Sequence, residues 1–166
     1  AAVEFALNFD GPVYLRFSRL ATEEIFDSTY RFTLGKGQTL KEGSDVTIIS
    51  TGIMATAAIE AADALAKEGI SARVVNMASI KPIDEELIVK CAKETGAIVT
   101  VEDHSIIGGL GTAVSEVIAE TAPCILRRIG VRDVFGRSGK PADLFKYYHM
   151  TPDDIASSAR EAIKLK

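Results

Sequence analysis

The segment from Ala97 to Glu116 constrains the fold of this chain more than any other part of the sequence. Its apolar run Ala97–Val101 is typical of a strand that is buried on both faces. A polar stretch and a glycine-rich loop follow, and the amphipathic pattern of Leu110–Thr121 predicts a helix. The polar residues are Glu102, Asp103 and His104, and the loop glycines are Gly108, Gly109 and Gly111. The segment predicts a βα unit with polar residues where the strand ends, the edge at which α/β sheets meet ligands.

The same alternation of strand and helix patterns runs from Asp45 to the end of the chain. The predicted strands are Val46–Ser50, Ser71–Met77, Ala97–Val101 and Ile125–Gly130. The predicted helices are Met54–Glu68, Asp84–Gly96, Leu110–Thr121, Pro141 to about Tyr148, and a last helix that starts at Thr151. Hydrophobic residues make up 47% of the chain and aromatic residues only 7%, which indicates an aliphatic core. Right-handed crossovers then predict an α/β three-layer sandwich with a mostly parallel, doubly wound sheet.

The first part of the chain has a weaker pattern. It predicts a helix over Ala1–Leu7, a strand over Val13–Ser18 and a polar linker over Ala21–Lys36, before a short edge strand at Gln38–Lys41. Because the chain starts without methionine and inside a predicted helix, we interpret it as a fragment.

Charge and composition exclude several classes of function. A formal net charge of −4 leaves no basic surface of the kind that nucleic acid or an anionic membrane requires. No apolar run approaches the roughly 18 residues of a spanning helix, and no signal peptide is visible, so we expect a cytoplasmic protein. The two cysteines, Cys91 and Cys124, and the two histidines are each far apart in sequence, so neither a disulfide nor a metal site is predicted.

The glycine-rich loop has two interpretations. Its free N–H groups at a helix N-terminus could receive an anion such as a nucleotide phosphate. However, the pattern from Gly109 places Val114 where a dinucleotide fingerprint has Gly or Ala, and it places Arg127 and Arg128 where an acidic residue closes the next strand. A tight turn that lets the helix and the strand approach closely is the favoured interpretation.

The polar residues before that loop could serve as acid, base and proton shuttle. Alternation along the strand predicts Glu102 and His104 on one side and Asp103 on the other. Ser105 is the only nearby nucleophile, and the sequence contains no nucleophile elbow. We therefore predict no catalytic residue here and expect a polar cluster that faces a neighbouring domain or subunit.

Arginines near the end of the first predicted strand form another candidate site. The guanidinium of Arg16 or Arg19 could bind a phosphate or carboxylate through two hydrogen bonds. Alternatively, these arginines pair with the nearby carboxylates of Glu23, Glu24 and Asp27. Both interpretations stay open at this stage.

The polar loop Val131–Lys140 is also open to two interpretations. It carries Arg132 and Asp133, together with the aromatic Phe135. Loops of this kind often form interfaces, but they can also be solvated.

Five segments carry a resemblance to a known family. They are Gly11–Arg19 (GPVYLRFSR), Ser44–Gly52 (SDVTIISTG), Val74–Asp84 (VVNMASIKPID), Val101–Glu116 (VEDHSIIGGLGTAVSE) and Gly130–Gly139 (GVRDVFGRSG). As an ordered set that covers nearly the whole chain, they resemble the C-terminal part of transketolase and its thiamine-diphosphate relatives. The short chain is similar to the separate C-terminal transketolase subunits of some prokaryotes.

The resemblance implies a division of the chain and a role for one arginine. Residues 1–37 resemble the tail of the pyrimidine-binding domain plus a linker, and residues 38–166 resemble the C-terminal domain. In transketolases the strand that ends in Ser-Arg supplies an arginine to the phosphate of the sugar substrate, which implies that role for Arg19. The family usually has glutamine at the next position, where this chain has Leu20.

The resemblance also implies a cofactor and partners. A transketolase transfers a two-carbon ketol unit between sugar phosphates, using thiamine diphosphate and Mg²⁺. This chain has no Gly-Asp-Gly segment leading to a metal-binding asparagine, so the cofactor would be held by an N-terminal section or subunit. The chain alone would then be inactive, and its C-terminal domain would contribute contacts in a homo-oligomer.

Three alternatives to a transketolase remain at this stage. Within the wider family, the chain could belong to a 1-deoxyxylulose-5-phosphate synthase or to the β subunit of a 2-oxo acid dehydrogenase. Outside it, the chain could be a non-catalytic regulatory or binding module with a flavodoxin-like shape, because a fold alone does not define a function.

Overall fold

The computed structural model describes residues 1–166. The elements in chain order are α1 (Ala2–Asn8), β1 (Gln38–Lys41), β2 (Val46–Ser50), α2 (Met54–Lys67), β3 (Ala72–Asn76), α3 (Glu85–Thr95), β4 (Ala97–Ser105), α4 (Leu110–Thr121), β5 (Ile125–Val131), α5 (Pro141–Tyr147) and α6 (Pro152–Lys164). The strands and helices from β1 onward are those that the sequence patterns predict, with shifts of a few residues at their ends.

The sheet has the strand order β1-β3-β2-β4-β5. Strand β1 pairs with β3 in the antiparallel sense, and all other neighbours are parallel. The chain moves outward from β2 to β3 in one direction and from β4 to β5 in the other. The topological switch point therefore lies between β2 and β4, at whose carboxyl ends α/β folds commonly place their sites.

Two apolar cores lie on opposite faces of this sheet. Helices α2 and α6 cover one face, around Ile48, Val74 and Val99. Helices α3 and α4 cover the other face, around Ile49 and Val75. The central strands are buried on both faces because successive side chains alternate between the two cores. The predicted three-layer, doubly wound α/β architecture is confirmed.

Local signals in the sequence explain where two helices begin and how one ends. The side chain of Asp84 caps α3 by accepting a hydrogen bond from the backbone N–H of Leu87 at 3.2 Å. Helix α3 then ends at Gly96, whose φ of 66° lies in the left-handed region that glycine adopts readily. Thr151 and Asp154 form a reciprocal capping box at the start of α6.

The first 37 residues differ from the rest of the chain. Helix α1 has no buried residue, and no side chain before Val46 is fully buried. The strand predicted over Val13–Ser18 is wrong, because this segment has no backbone hydrogen bond to any neighbouring strand. An alternating apolar pattern becomes a strand only when another strand pairs with it, and no strand of this sheet pairs with Val13–Ser18.

Candidate functional site

The carboxylate of Glu102 occupies the N-terminus of α4. Glu102 is only 1% exposed, and β4 continues through it to Ser105, beyond the predicted end at Val101. Its two carboxylate oxygens accept hydrogen bonds from the backbone N–H groups of Leu110 and Gly111, each at 2.8 Å. A negative charge at this position is stabilised by the helix dipole and by the otherwise unpaired amides. The place where a phosphate would bind is therefore filled by a side chain of the chain itself.

The loop glycines allow this close approach. A Cβ atom on Gly109 would lie 1.9 Å from Oε2 of Glu102, and one on Gly111 would lie 2.7 Å from Cδ of Arg128. A side chain at Gly109 would displace the Glu102 carboxylate, and one at Gly111 would displace the side chain of Arg128 or Thr100. The favoured interpretation of the loop as a tight turn is confirmed, and the anion-binding alternative is excluded for this helix end.

Thr112 and Arg128 close the same loop, a role that the sequence patterns did not predict for either residue. The hydroxyl of Thr112 accepts a hydrogen bond from the N–H of Gly108 at 3.0 Å and donates to the carbonyl of Ile106 at 3.1 Å. The guanidinium of Arg128 donates to the same carbonyl at 3.1 Å. The position of Thr112 in the first turn of a helix that begins at a glycine could have indicated its contacts. No local pattern in the sequence indicated the contact of Arg128.

The three polar residues at the end of β4 do not form one cluster. Glu102 is buried beneath the loop, whereas the side chain of His104 is exposed and its Nδ1 lies 3.1 Å from the carbonyl oxygen of Ser105. Asp103 is half-buried, and its backbone carbonyl accepts a hydrogen bond from Arg16 at 2.9 Å. Pairing between β4 and β5 is irregular between Val101 and Ser105, which explains why simple alternation does not describe these side chains.

Arg19 is exposed and makes no hydrogen bond or ion pair within the chain. The alternative partners considered for it and for Arg16 do not pair with either arginine. Asp27 instead accepts hydrogen bonds from the hydroxyl and the N–H of Thr29, and these bonds hold the pKa of its carboxyl below the usual range. The Arg19 guanidinium therefore keeps all its donors available for a ligand or a partner.

The loop after β5 projects an aromatic ring into solvent. Phe135 is 100% exposed, yet its backbone carbonyl accepts a hydrogen bond from the hydroxyl of Tyr148 at 3.2 Å. Arg132 donates to the carbonyl of Arg128 at 2.8 Å, while Asp133 is exposed with a positive φ of 44°. These contacts anchor the loop to the domain and leave its apolar tip uncovered.

Neither a metal cluster nor a membrane helix is found in this chain. No group of three or more His, Cys, Asp or Glu side chains is arranged to hold a metal ion. None of the helices combines the length and the apolar character that crossing a bilayer would need.

A family model described as "Transketolase, C-terminal domain" matches residues 35–155 of the chain. The chain belongs to the transketolase C-terminal domain family. The resemblance inferred from the ordered sequence segments is confirmed.

Similar proteins include both transketolases and a synthase. The chain is 45% identical over its full length to the 6-deoxy-6-sulfo-D-fructose transketolase subunit of a Clostridium species, of which it covers 52%. It is 42% identical over 159 residues, or 94% of its length, to the 1-deoxy-D-xylulose-5-phosphate synthase of Heliobacterium modesticaldum, of which it covers 25%.

A solved structure described as "Split gene transketolase, inactive beta4 tetramer" matches the whole chain with a TM-score of 0.97 and 50% identity. The chain covers 55% of that structure's chain. It therefore spans about half the length of the similar transketolase subunit and of this structural neighbour.

Proposed function

We propose that this chain is the C-terminal part of a transketolase that transfers a two-carbon ketol unit between sugar phosphates. The observation that carries the proposal is the match of the whole chain, at a TM-score of 0.97, to part of a split-gene transketolase. A transketolase subunit at 45% identity over all 166 residues supports the same assignment. Residues 1–37 then form the tail of the pyrimidine-binding domain with its linker, and residues 38–166 form the C-terminal domain.

The residues of this chain do not fit a thiamine diphosphate–Mg²⁺ site. The chain has no cluster of metal-ligating side chains, and the glycine-led helix N-terminus already holds the Glu102 carboxylate. The proposal therefore assigns the cofactor to another segment or to an N-terminal section or subunit. Titration of this chain with thiamine diphosphate and Mg²⁺ in a calorimeter is expected to give no binding heat. Saturable micromolar binding would contradict this assignment.

Arg19 is proposed to bind the phosphate of the sugar substrate in the assembled enzyme. Its exposed guanidinium has no partner in the chain, so its donors are free to form a charge-assisted, bidentate contact. In the assembled enzyme, Arg19→Ala is expected to raise KM for phosphorylated acceptors by about tenfold or more, a loss of about 1.4 kcal/mol of binding. KM for unphosphorylated acceptors is expected to stay nearly constant.

The matched control for Arg19 is Arg160→Ala. Arg160 lies on α6 and pairs with Glu68 at 2.9 Å, so its removal takes away an arginine without touching the proposed phosphate contact. Equal effects of Arg19→Ala on phosphorylated and unphosphorylated acceptors would remove Arg19 from the substrate site.

Self-association through the loop after β5 is the second element of the proposal. The exposed Phe135, with its neighbours Arg132 and Asp133, presents an anchored surface, and the similar split-gene transketolase is described as a β4 tetramer. Asp103, His104 and Gly108 lie at the surface and are available to such an interface, whereas Glu102 is not.

Phe135→Ser is expected to lower the mass of the assembly in sedimentation experiments, while Leu165→Ser serves as the control. Leu165 is also exposed, but it lies at the end of the last helix. An unchanged mass for Phe135→Ser would show that the loop is not part of the interface.

A 1-deoxyxylulose-5-phosphate synthase is the second candidate, because the chain is 42% identical to one such enzyme. The two functions differ in the donor of the two-carbon unit. The assembled enzyme is expected to transfer ketol units from a ketose phosphate and to give no product from pyruvate and glyceraldehyde 3-phosphate. The opposite result would favour the synthase.

A further inference from the structure

A polar cleft of about 200 Å³ lies between the linker and the β1–β3 edge of the sheet, and neither Arg19 nor the Glu102 loop lines it. Six of its lining residues are polar: Tyr30, Arg31, Thr33, Lys36, Gln38 and Asn76. No carboxylate lines the cleft. Nothing in the proposed function uses these residues.

Asn76 lies at the floor of the cleft with its side chain unpartnered. It is the last residue of β3 and is only 7% exposed, with Gln38 opposite it on β1. Its amide makes no hydrogen bond within the chain, nor does the side chain of Gln38. This side chain is more than nine-tenths buried and has no hydrogen-bond partner within the chain, so its amide is open to a ligand or to water in the cleft.

Cationic donors approach the cleft from the linker. Arg31 has no ion pair, and its Nη1 donates only to the backbone carbonyls of Ser28 and Tyr30, so its other N–H groups stay free. The ammonium of Lys36 lies 2.9 Å from a carboxylate oxygen of Glu86 and 3.5 Å from one of Asp84, which share its charge. Arg31 is therefore the uncompensated positive charge at the cleft.

Two hydroxyl groups complete the set of donors. The ring of Tyr30 stacks on Phe26 with ring centroids 4.1 Å apart, which positions the phenol, and burial raises the pKa of Tyr30 above its usual value. Neither this hydroxyl nor that of Thr33 has a hydrogen-bond partner in the chain. Donors on the linker, β1 and β3 thus surround one space.

We propose that this cleft binds a small phosphorylated metabolite, with its phosphate group held by Arg31, Lys36 and Asn76. Six donors from three segments of the chain exceed what the two oxygens of a carboxylate accept, and they suit the three oxygens of a phosphate group. A volume of about 200 Å³ is below that of pockets for drug-sized ligands, which limits the rest of the molecule to a few atoms. Occupation of the cleft would tie the linker to the edge of the sheet.

The test uses the 166-residue chain and inorganic phosphate, titrated at constant ionic strength against chloride and followed by NMR chemical shifts. Phosphate is expected to shift the amide resonances of residues 30–38 and 76 in a saturable manner. Arg31→Gln is expected to weaken binding by about tenfold, because a charge-assisted contact is lost. Asn76→Asp is expected to abolish it, since a carboxylate of the same shape repels the anion.

The controls separate this cleft from other arginines. Arg132→Gln removes the same charge from the loop after β5 and is expected to leave binding unchanged. Arg19→Gln is also expected to leave it unchanged, so this proposal stands or falls independently of the substrate role of Arg19. Arg31 is exposed, so Arg31→Gln keeps the fold even if Asn76→Asp does not. The proposal is overturned if phosphate shifts no resonances at the cleft, or if Arg31→Gln binds it as tightly as the unmodified chain.

Discussion

Residues 38–166 and residues 1–37 obey different physical rules although they form one chain. Residues 38–166 contain both apolar cores and every fully buried side chain. Residues 1–37 contain no fully buried side chain, and several of their apolar side chains, among them Tyr14 and Phe17, are largely exposed. A segment that buries its own apolar side chains folds according to its own sequence. A segment that leaves them exposed takes a structure that depends on what packs against it.

The exposed apolar side chains of residues 1–37 fit the proposal that this segment belongs to a longer or assembled enzyme. Its internal contacts are local, such as the rings of Phe5 and Phe9 at 5.4 Å and those of Phe5 and Phe32 at 5.3 Å. Its link to the sheet includes the hydrogen bond from Arg16 to the carbonyl of Asp103. We therefore expect substitutions in residues 38–166 to lower the free energy of unfolding strongly, and changes in residues 1–37 to alter it little.

The largest effect is expected from Gly109→Ala. The added Cβ would lie 1.9 Å from a Glu102 carboxylate oxygen, so the carboxylate must leave the helix N-terminus. Overpacking together with the lost charged hydrogen bonds should lower the free energy of unfolding by about 4 kcal/mol in urea denaturation. Gly136→Ala is the matched control, because nothing lies within 4 Å of its added Cβ. Equal stability of the two variants would contradict the close packing of the loop.

A slightly smaller loss is expected from Glu102→Ala. This change leaves two buried N–H groups at the start of α4 without an acceptor, which should cost about 3 kcal/mol of unfolding free energy. Glu116→Ala, an exposed glutamate on the same helix with no ion pair, is expected to change stability by less than about 0.5 kcal/mol. If both variants unfold at the same urea concentration, the carboxylate does not stabilise the helix end.

The smallest effect is expected from removal of residues 1–19. Because these residues bury little and contribute mainly exposed contacts, the free energy of unfolding should change by less than about 1 kcal/mol. Removal of α6 at the other end should instead unfold the domain, since Ile155, Ala156 and Ala159 are part of a core. A large loss of unfolding free energy on removing residues 1–19 would contradict the difference between residues 1–37 and residues 38–166.

The sequence predicted most of the fold in residues 38–166. Runs such as Val46–Ser50 are apolar throughout, and this pattern predicts strands buried on both faces. The cap at Asp84, the end of its helix at Gly96 and the start of α6 at Thr151 each depend on local chemistry within a few residues. The strand predicted at Val13–Ser18 was wrong because pairing requires two segments, and no strand of this sheet pairs with Val13–Ser18.

The candidate sites were harder to predict. The glycine-rich turn was recognised from its spacing, but the burial of Glu102 was not, since a charged residue usually marks the exposed end of a strand. The polar cleft was missed because it exists only when residues 30–38 fold back beside Asn76. The burial of Arg73 on β3, which pairs with Glu94 of α3 at 2.6 Å, was also missed, because this contact forms only when the helix packs against the sheet.

The Glu102 carboxylate has one more consequence. In nucleotide-binding α/β folds, the backbone N–H groups in the first turn of a helix bind the phosphate of the ligand. Here those amides have a permanent, covalently tethered occupant that dilution or competition does not displace. A molecule that binds beside the Glu102 loop is therefore recognised by side chains and not by these amides, so substitution of those side chains can change selectivity while the helix end stays occupied.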